Sequence, residues 1–337
     1  MNLPFSTDSP EYKLIQSFNS DTVWLIDHLF GFDSDFENYL LRSFDKLDQP
    51  IKIYTEYILD ESVKRKYPNL DIKFNAKAMI QGNNLLAVER YAKLAAQNSP
   101  SSAKVNFLSS FNKAAHTGRI WLVLWLYELG WFNDSFCSKH FEIINTPREN
   151  WIWSPIPDEV LYLHSKYIGD DYYSSSKQTS RNQFLKKIIK FGNEHQTARD
   201  DIKTLATFNQ KSFVNLVAET APINSIPFPT EKSLHPIVHK TLWVAYAPTG
   251  HHTFMFEKFG FRPYNCFDYA FDQEPDHVER LGQLTHMLTK FSKMTTEQWQ
   301  DIYNQEKENI DFNFDHVASG SFLKQIQQLD QTDNNFI

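Results

Sequence analysis

Apolar positions in this chain come in short blocks of two kinds, and the two kinds alternate. Residues 22–26 (Thr-Val-Trp-Leu-Ile) are β-branched and aromatic and stop at Asp27-His28, the pattern of a buried strand. Residues 35–47 follow with Phe36, Tyr39, Leu40 and Phe44 at helical spacing, and 51–55 (Ile-Lys-Ile-Tyr-Thr) reads as a second strand. A shorter strand is expected at 70–74, then a helix over 84–97, a stretch dominated by good helix formers. Alternation at this spacing predicts an open, largely parallel sheet. Residues 98–102 (Asn-Ser-Pro-Ser-Ser) read as a linker, after which the pattern restarts. It predicts a strand at 105–109, a loop over 111–118 and a helix at 119–129 that is apolar almost all round and therefore buried. Residues 151–180 are irregular, rich in Tyr, Ser and Pro, and helical spacing returns at 182–191 and 198–208. A strand at 213–217, a helix at 231–239, a strand at 242–246 and helices at 251–259, 276–292 and 296–306 complete the reading. The last ten residues are expected to fray.

The composition is that of a globular chain. Its 337 residues are 41% apolar and 22% charged, enough for two α/β domains. Cys137 and Cys266 are the only cysteines, and neither has a Cys or His at metal-site spacing. Free thiols in a reducing compartment are expected, with no structural zinc. The amino terminus lacks a basic stretch followed by an apolar one, and the longest apolar run, 120–127, stops at Glu128. A cytoplasmic chain without a membrane partner is the expectation. The net charge of −7 argues against a protein that coats nucleic acid without specificity. It leaves room for a local basic groove, at Lys64-Arg65-Lys66 or over 181–190 with Lys186, Lys187 and Lys190. Each cluster reads first as a solvated helix face.

The chemistry concentrates between Phe213 and Arg280. Thr230 is a good N-cap for a helix opening at Glu231. Such a helix start offers unpaired N–H groups and the positive end of its dipole, and Lys232 adds a full charge beside it. Glu219, at the carboxyl end of a strand, and Glu231 are placed to accept hydrogen bonds from ribose hydroxyls or a base. On the residues alone, Thr-Glu-Lys is first a capped amphipathic helix start. His251-His252 follows Gly250 at a second helix opening, where one ring would be free to face phosphates or to pack inside.

The run Glu219…Thr230-Glu231-Lys232…Pro236…Pro248…Gly260-Phe261 resembles the donor-binding core of GT-B glycosyltransferases. Within them it is most similar to viral and bacterial transferases related to exostosin-like enzymes and α-1,3-fucosyltransferases. Asp268-Tyr-Ala-Phe-Asp272 followed by Arg280 resembles the acidic tail of the same group, with Tyr269 where the group often has Glu. A second stretch, from Lys104 through Asn112 and Arg119 to Gly130, resembles the opening of that domain, with Gly118 where a His usually precedes the Arg. The resemblance implies an α/β fold of two Rossmann-like domains facing a cleft. Residues 1–102 would form the acceptor-side domain, 103–320 the nucleotide-sugar-binding domain and 321–337 a carboxyl-terminal tail. It also implies Asn112, Arg119, Glu219, Thr230, Glu231, Lys232 and Gly250 at the donor, with no cofactor beyond the nucleotide-sugar itself.

Breaking a sugar–phosphate bond requires a stabilised diphosphate leaving group, and in the arrangement the resemblance implies Arg119, Lys232 and the helix opening at Glu231 would supply that without a metal. An inverting reaction also needs a base for the acceptor hydroxyl. Asp27 and His28, at the carboxyl end of the first strand, are the candidates, although each reads first as a loop or capping residue. Asp33-Ser34-Asp35 has the letters of a metal-binding pair but lies where it would cap the helix beginning near Asp35. The expected acceptor is a hydroxylated base in DNA. Its flipping would need an aromatic to stack on, with Trp151, Trp153, Tyr172 and Tyr173 available. A glycan or polysaccharide acceptor is the alternative, and a non-catalytic nucleotide-sugar-binding module is another. No Gly-x-x-x-x-Gly-Lys loop or Gly-x-Gly-x-x-Gly turn points to a different nucleotide enzyme.

Overall fold

A computed structural model describes residues 22–25, 51–55, 70–82, 85–97, 104, 106–112, 122, 126, 129, 131, 136–139, 209–219, 227 and 229–334. Three strands come first: β1 (Thr22–Leu25), β2 (Ile51–Thr55) and β3 (Leu70–Phe74). They form a parallel sheet in that order, with Val23 beside Ile53 and Ile53 beside Ile72. All three lie where the β-branched blocks predict them. Two helices follow, α1 (Ala76–Gly82) and α2 (Leu85–Gln97). On α2 the buried residues Leu85, Val88 and Ala92 form the stripe expected of a helix with one face inside.

A second parallel sheet carries β4 (Asn106–Asn112), β5 (Phe136–Lys139), β6 (Ser212–Ala218) and β7 (Leu242–Tyr246). Its strand order is β5-β4-β6-β7. Every residue of β6 and β7 is buried, which explains their near-continuous apolar runs: strands of a parallel sheet covered on both faces have no polar side. The polar exceptions are satisfied internally. Asn215 donates to Ser109 Oγ and Asn209 Oδ1, and Ser110 donates to the Leu216 carbonyl.

The chain runs from β4 to its neighbour β5, then returns to the other side of β4 for β6 and continues outward to β7. The direction of winding therefore reverses between β4 and β6. In open α/β sheets this switch point, at the carboxyl ends of the strands, is where a crevice forms and ligands bind. Asn112 closes β4 there, and Glu219 directly follows β6, its N–H donating to the Tyr246 carbonyl at 3.0 Å.

The remaining elements are α3 (Glu231–Val238), α4 (His251–Phe259), a 3₁₀ turn (Tyr269–Gln273), α5 (His277–Ser292), α6 (Thr296–Gln305), α7 (Lys307–Ala318) and α8 (Ser321–Asn334). The pattern places α3, α4, α5 and α6 to within a residue or so, whereas α1, β5 and α7 are elements it did not give. The segment from 321 is a correction. Expected as a tail, it is helix to Asn334, because Phe322, Leu323 and Ile326 make an apolar stripe that buries against α1 and β3. Buried residues on both sides of 98–102 join one hydrophobic cluster, Met79 and Val88 with Leu216 and Ile237. In it, α2 packs on α3 and α7.

At the amino end of the second sheet, the half-buried Lys104 donates to the Ser212 carbonyl at 2.8 Å, the Gln210 carbonyl and Thr241 Oγ1. Burial pulls its ammonium down to about 7. A strongly perturbed lysine often marks an active site. This one stands at the opposite end of the strands from the switch point and ties the starts of β4, β6 and β7 together.

Candidate functional site

Glu219 is the centre of the carboxyl-end cluster. It is 1% exposed, and among the described residues Thr230 and Ser233 donate to its carboxylate. Thr230 N–H (3.2 Å) and Ser233 Oγ–H (2.6 Å) donate to Oε1, while Thr230 Oγ1–H donates to Oε2 at 2.6 Å. Burial alone would raise the pKa of such a carboxyl. The Lys232 ammonium and the Ser233 and Thr230 hydroxyl bonds more than offset this and hold it below the usual range. Glu219 is thus buried and hydrogen-bonded to Thr230 and Ser233. It serves as a strut that fixes the end of β6 to the opening of α3.

That opening forms as the capping pattern predicts. Thr230 is extended (φ −115°, ψ 179°), and its Oγ1 accepts from Lys232 N–H at 3.3 Å. Glu231 and Lys232 are half-buried at the helix start. Lys232 Nζ lies 3.1 Å from Glu231 Oε1 and 3.2 Å from Thr230 Oγ1. The ammonium is thus held over the first turn, where the helix dipole already favours an anion. At its far end α3 stops at Val238 with His239 as its cap, and Lys240, with a left-handed φ of 51°, turns the chain into β7.

The loop between β7 and α4 is fixed from two directions. Gly250, the N-cap of α4, has φ +75°, a conformation that favours glycine, and its N–H donates to the Asp272 carbonyl at 2.6 Å. The Asp272 carboxylate accepts from His252 N–H, His252 Nδ1–H, Thr253 N–H and Thr253 Oγ1–H, all at 2.9–3.0 Å. Burial opposes the charge on Asp272, but these donors, His252 first, hold its pKa well below the carboxylate range. From the other side, the buried Arg280 donates to the Ala247 carbonyl (2.8 Å), Thr249 Oγ1 (2.8 Å) and the Glu274 carbonyl. The two ends of the expected acidic tail thus converge on one loop.

The first turn of α4 is occupied by Asp272, so neither histidine there faces outward. Ala245 N–H donates to His252 Nε2 at 3.0 Å, so the other nitrogen carries the proton given to Asp272. Its ring stacks on Trp243 at 5.3 Å. His251 is wholly buried, with Nε2 3.1 Å from Ser233 Oγ. Of the two places open to these rings, facing phosphates or packing inside, both take the second: β7 and the 3₁₀ turn supply the apolar surface, and Ser233, Ala245 and Asp272 the partners.

Of the sequence-derived site residues, Glu219, Thr230, Glu231 and Lys232 gather at the start of α3, and Gly250 opens α4. Asn112 ends β4 across the switch point. Asp27, His28 and Arg119 lie outside the described residues. So do Asp33 and Asp35, both basic clusters, and Trp151, Trp153, Tyr172 and Tyr173. The residue missed by sequence reasoning is Ser233. It occupies the third helical position after the Thr cap, where a capping box normally has Glu or Gln, and that place was its signal. Among the described residues no group of three or more His, Cys, Asp or Glu side chains is arranged to hold a metal. Nor, among them, is any helix long and apolar enough to cross a membrane. Compared with known proteins, the chain matches no family model, no curated protein and no solved structure.

Proposed function

We propose that the chain is a glycosyltransferase that moves a sugar from a nucleotide-sugar donor to an acceptor hydroxyl. One observation carries the reading. Directly after the switch-point strand β6, a buried carboxylate fixes a Thr-Glu-Lys helix start with a lysine held over it. A site of this kind suits the diphosphate of a donor, because oriented N–H groups and a cation stabilise the leaving phosphate without reorganising. Lys232 and the opening of α3 would bind the diphosphate, together with Arg119 of the segment that resembles the domain's opening. Asp27 or His28, just beyond the end of β1, would take the proton of the acceptor hydroxyl in an inverting, metal-independent transfer.

For the acceptor we keep a hydroxylated base in DNA as the specific proposal. It rests on the basic clusters at 64–66 and 181–190, which would meet phosphates.

The test is turnover by the full chain with a panel of nucleoside-diphosphate sugars, read by mass spectrometry. Hydroxymethylated DNA, unmodified DNA, simple sugars and water are each offered as acceptor. Sugar release or transfer from at least one donor is expected, and it should survive EDTA. Activity lost with EDTA and restored by Mn²⁺ would move the site to Asp33 and Asp35. Transfer to a glycan with hydroxymethylated DNA untouched would overturn the DNA acceptor alone. Binding of a donor without turnover of any would make the chain a binding module.

A further inference from the structure

The hydroxyl of Ser233 holds two groups at once, Glu219 Oε1 at 2.6 Å and His251 Nε2 at 3.1 Å. It has a single proton, and an ionised carboxylate only accepts. That proton therefore goes to Glu219, and His251 donates from Nε2 to the serine oxygen. The other ring nitrogen, Nδ1, is left as a bare acceptor, buried and with no hydrogen-bond partner among the described residues. Ser233 is the third residue of α3, and His251 is the first of α4. One ring thus joins the first turns of both helices.

We infer that His251 is a positioning residue for the first turn of α3, holding Ser233, and through it Glu219 and Thr230, only while Nδ1 carries no proton. The inference rests on the proposed role of that turn in binding the donor diphosphate, but the arrangement itself is independent of any ligand. A proton on Nδ1 would create a buried N–H with no acceptor, beside the edge-on ring of Trp243. The titratable and charged groups facing the ring come from four places. Glu219 at the end of β6 and Asp272 in the 3₁₀ turn favour the charge, whereas His252 alongside and Arg280 on α5 oppose it. Burial is the largest influence, and it brings the imidazole down to about 4. The folded chain therefore refuses a proton that the unfolded chain accepts near pH 6.5. The stability contributed by neutral His251 is complete above about pH 6.5, shrinks as pH falls below it and is gone once pH passes about 4.

The experiment compares the full chain with its His251→Gln and His251→Phe variants, without ligand, by hydrogen exchange of the segment 229–236 between pH 7.5 and 4.5. Rates are corrected for intrinsic exchange. The Gln amide can donate to Ser233 but does not titrate, while Phe keeps the ring volume and donates nothing. The parent chain should lose protection in this segment by up to roughly fortyfold on going from pH 6.5 to 4.5. His251→Gln should match it at pH 7.5 and lose less on acidification. His251→Phe should be unprotected at both ends. If Phe matches the parent at pH 7.5, the ring only fills space, and the inference fails. It fails equally if Gln keeps the full acid step. Imidazole ¹⁵N shifts of the unsubstituted chain give a reading free of any folding defect: an Nδ1 protonated at pH 7 would overturn it. Because no donor is present, these outcomes are separate from the turnover assay, which alone decides the transferase reading.

Discussion

Lys232→Ala is expected to slow sugar transfer about a hundredfold or more, the effect of removing a key stabiliser of developing charge. The ammonium is already in place before any ligand arrives, held by Thr230 Oγ1 and Glu231 at the opening of α3. Its side chain is 29% exposed, so it is accessible to a diphosphate yet partly shielded from water, and charge acts more strongly there than in bulk solvent. The loss should fall on kcat as well as KM, since negative charge grows on the leaving phosphate in the transition state. The fold should tolerate the change, because Glu219, Thr230 and Ser233 keep the helix start intact without it. Arg119→Ala should cost a similar factor if it meets the same diphosphate. Turnover at parental rates in both variants would remove the donor site from this helix.

Asp272→Ala should be the most destabilising single substitution around the site, lowering the unfolding free energy in urea by about 3–5 kcal/mol, the cost of breaking a buried charge-assisted cluster from one side. The estimate follows from what is left behind. Two backbone N–H groups, the His252 Nδ1–H and the Thr253 hydroxyl lose their common acceptor, and Asp272 and His252 are both almost fully buried. Each orphaned buried donor carries its own desolvation penalty. Asp272→Asn, which retains one acceptor oxygen but no charge, should fall between parent and Ala. A loss below about 1 kcal/mol for Asp272→Ala would mean that the loop re-forms around water, and that Arg280 alone fixes it.

The strands were legible from the sequence because burial on both faces writes itself as an uninterrupted β-branched or aromatic block, as in β6 and β7. Caps were legible too: Thr230 before Glu231 and Gly250 before His251 sit where local backbone chemistry demands them. Pairing across distance was not. Nothing in the letters says that Asp272 lies under His252, or that Glu219 accepts from Thr230 and Ser233. Those contacts depend on how the loops fold over the sheet ends. The same holds for His251-His252. Two adjacent histidines at a helix start look available until Trp243 and the 3₁₀ turn close over them. α7 had a readable stripe in Ile310, Phe314 and Val317, at spacings of four and three, but polar residues between them diluted the signal. α8 was hidden by its position near the carboxyl end, where fraying is the ordinary expectation.

The central claim is that the opening of α3, beside the switch point, is where a nucleotide-sugar binds. Hydrogen exchange of the full chain with and without a panel of nucleoside diphosphates tests it most directly. At a hundred times its dissociation constant a bound nucleotide contributes about 2.7 kcal/mol, enough to slow exchange visibly where it sits. The expected result is slowed exchange over 230–234 and at the end of β4 near Asn112, abolished by Lys232→Ala. Protection confined to other parts of the chain, or protection at 230–234 that Lys232→Ala leaves unchanged, would contradict the account.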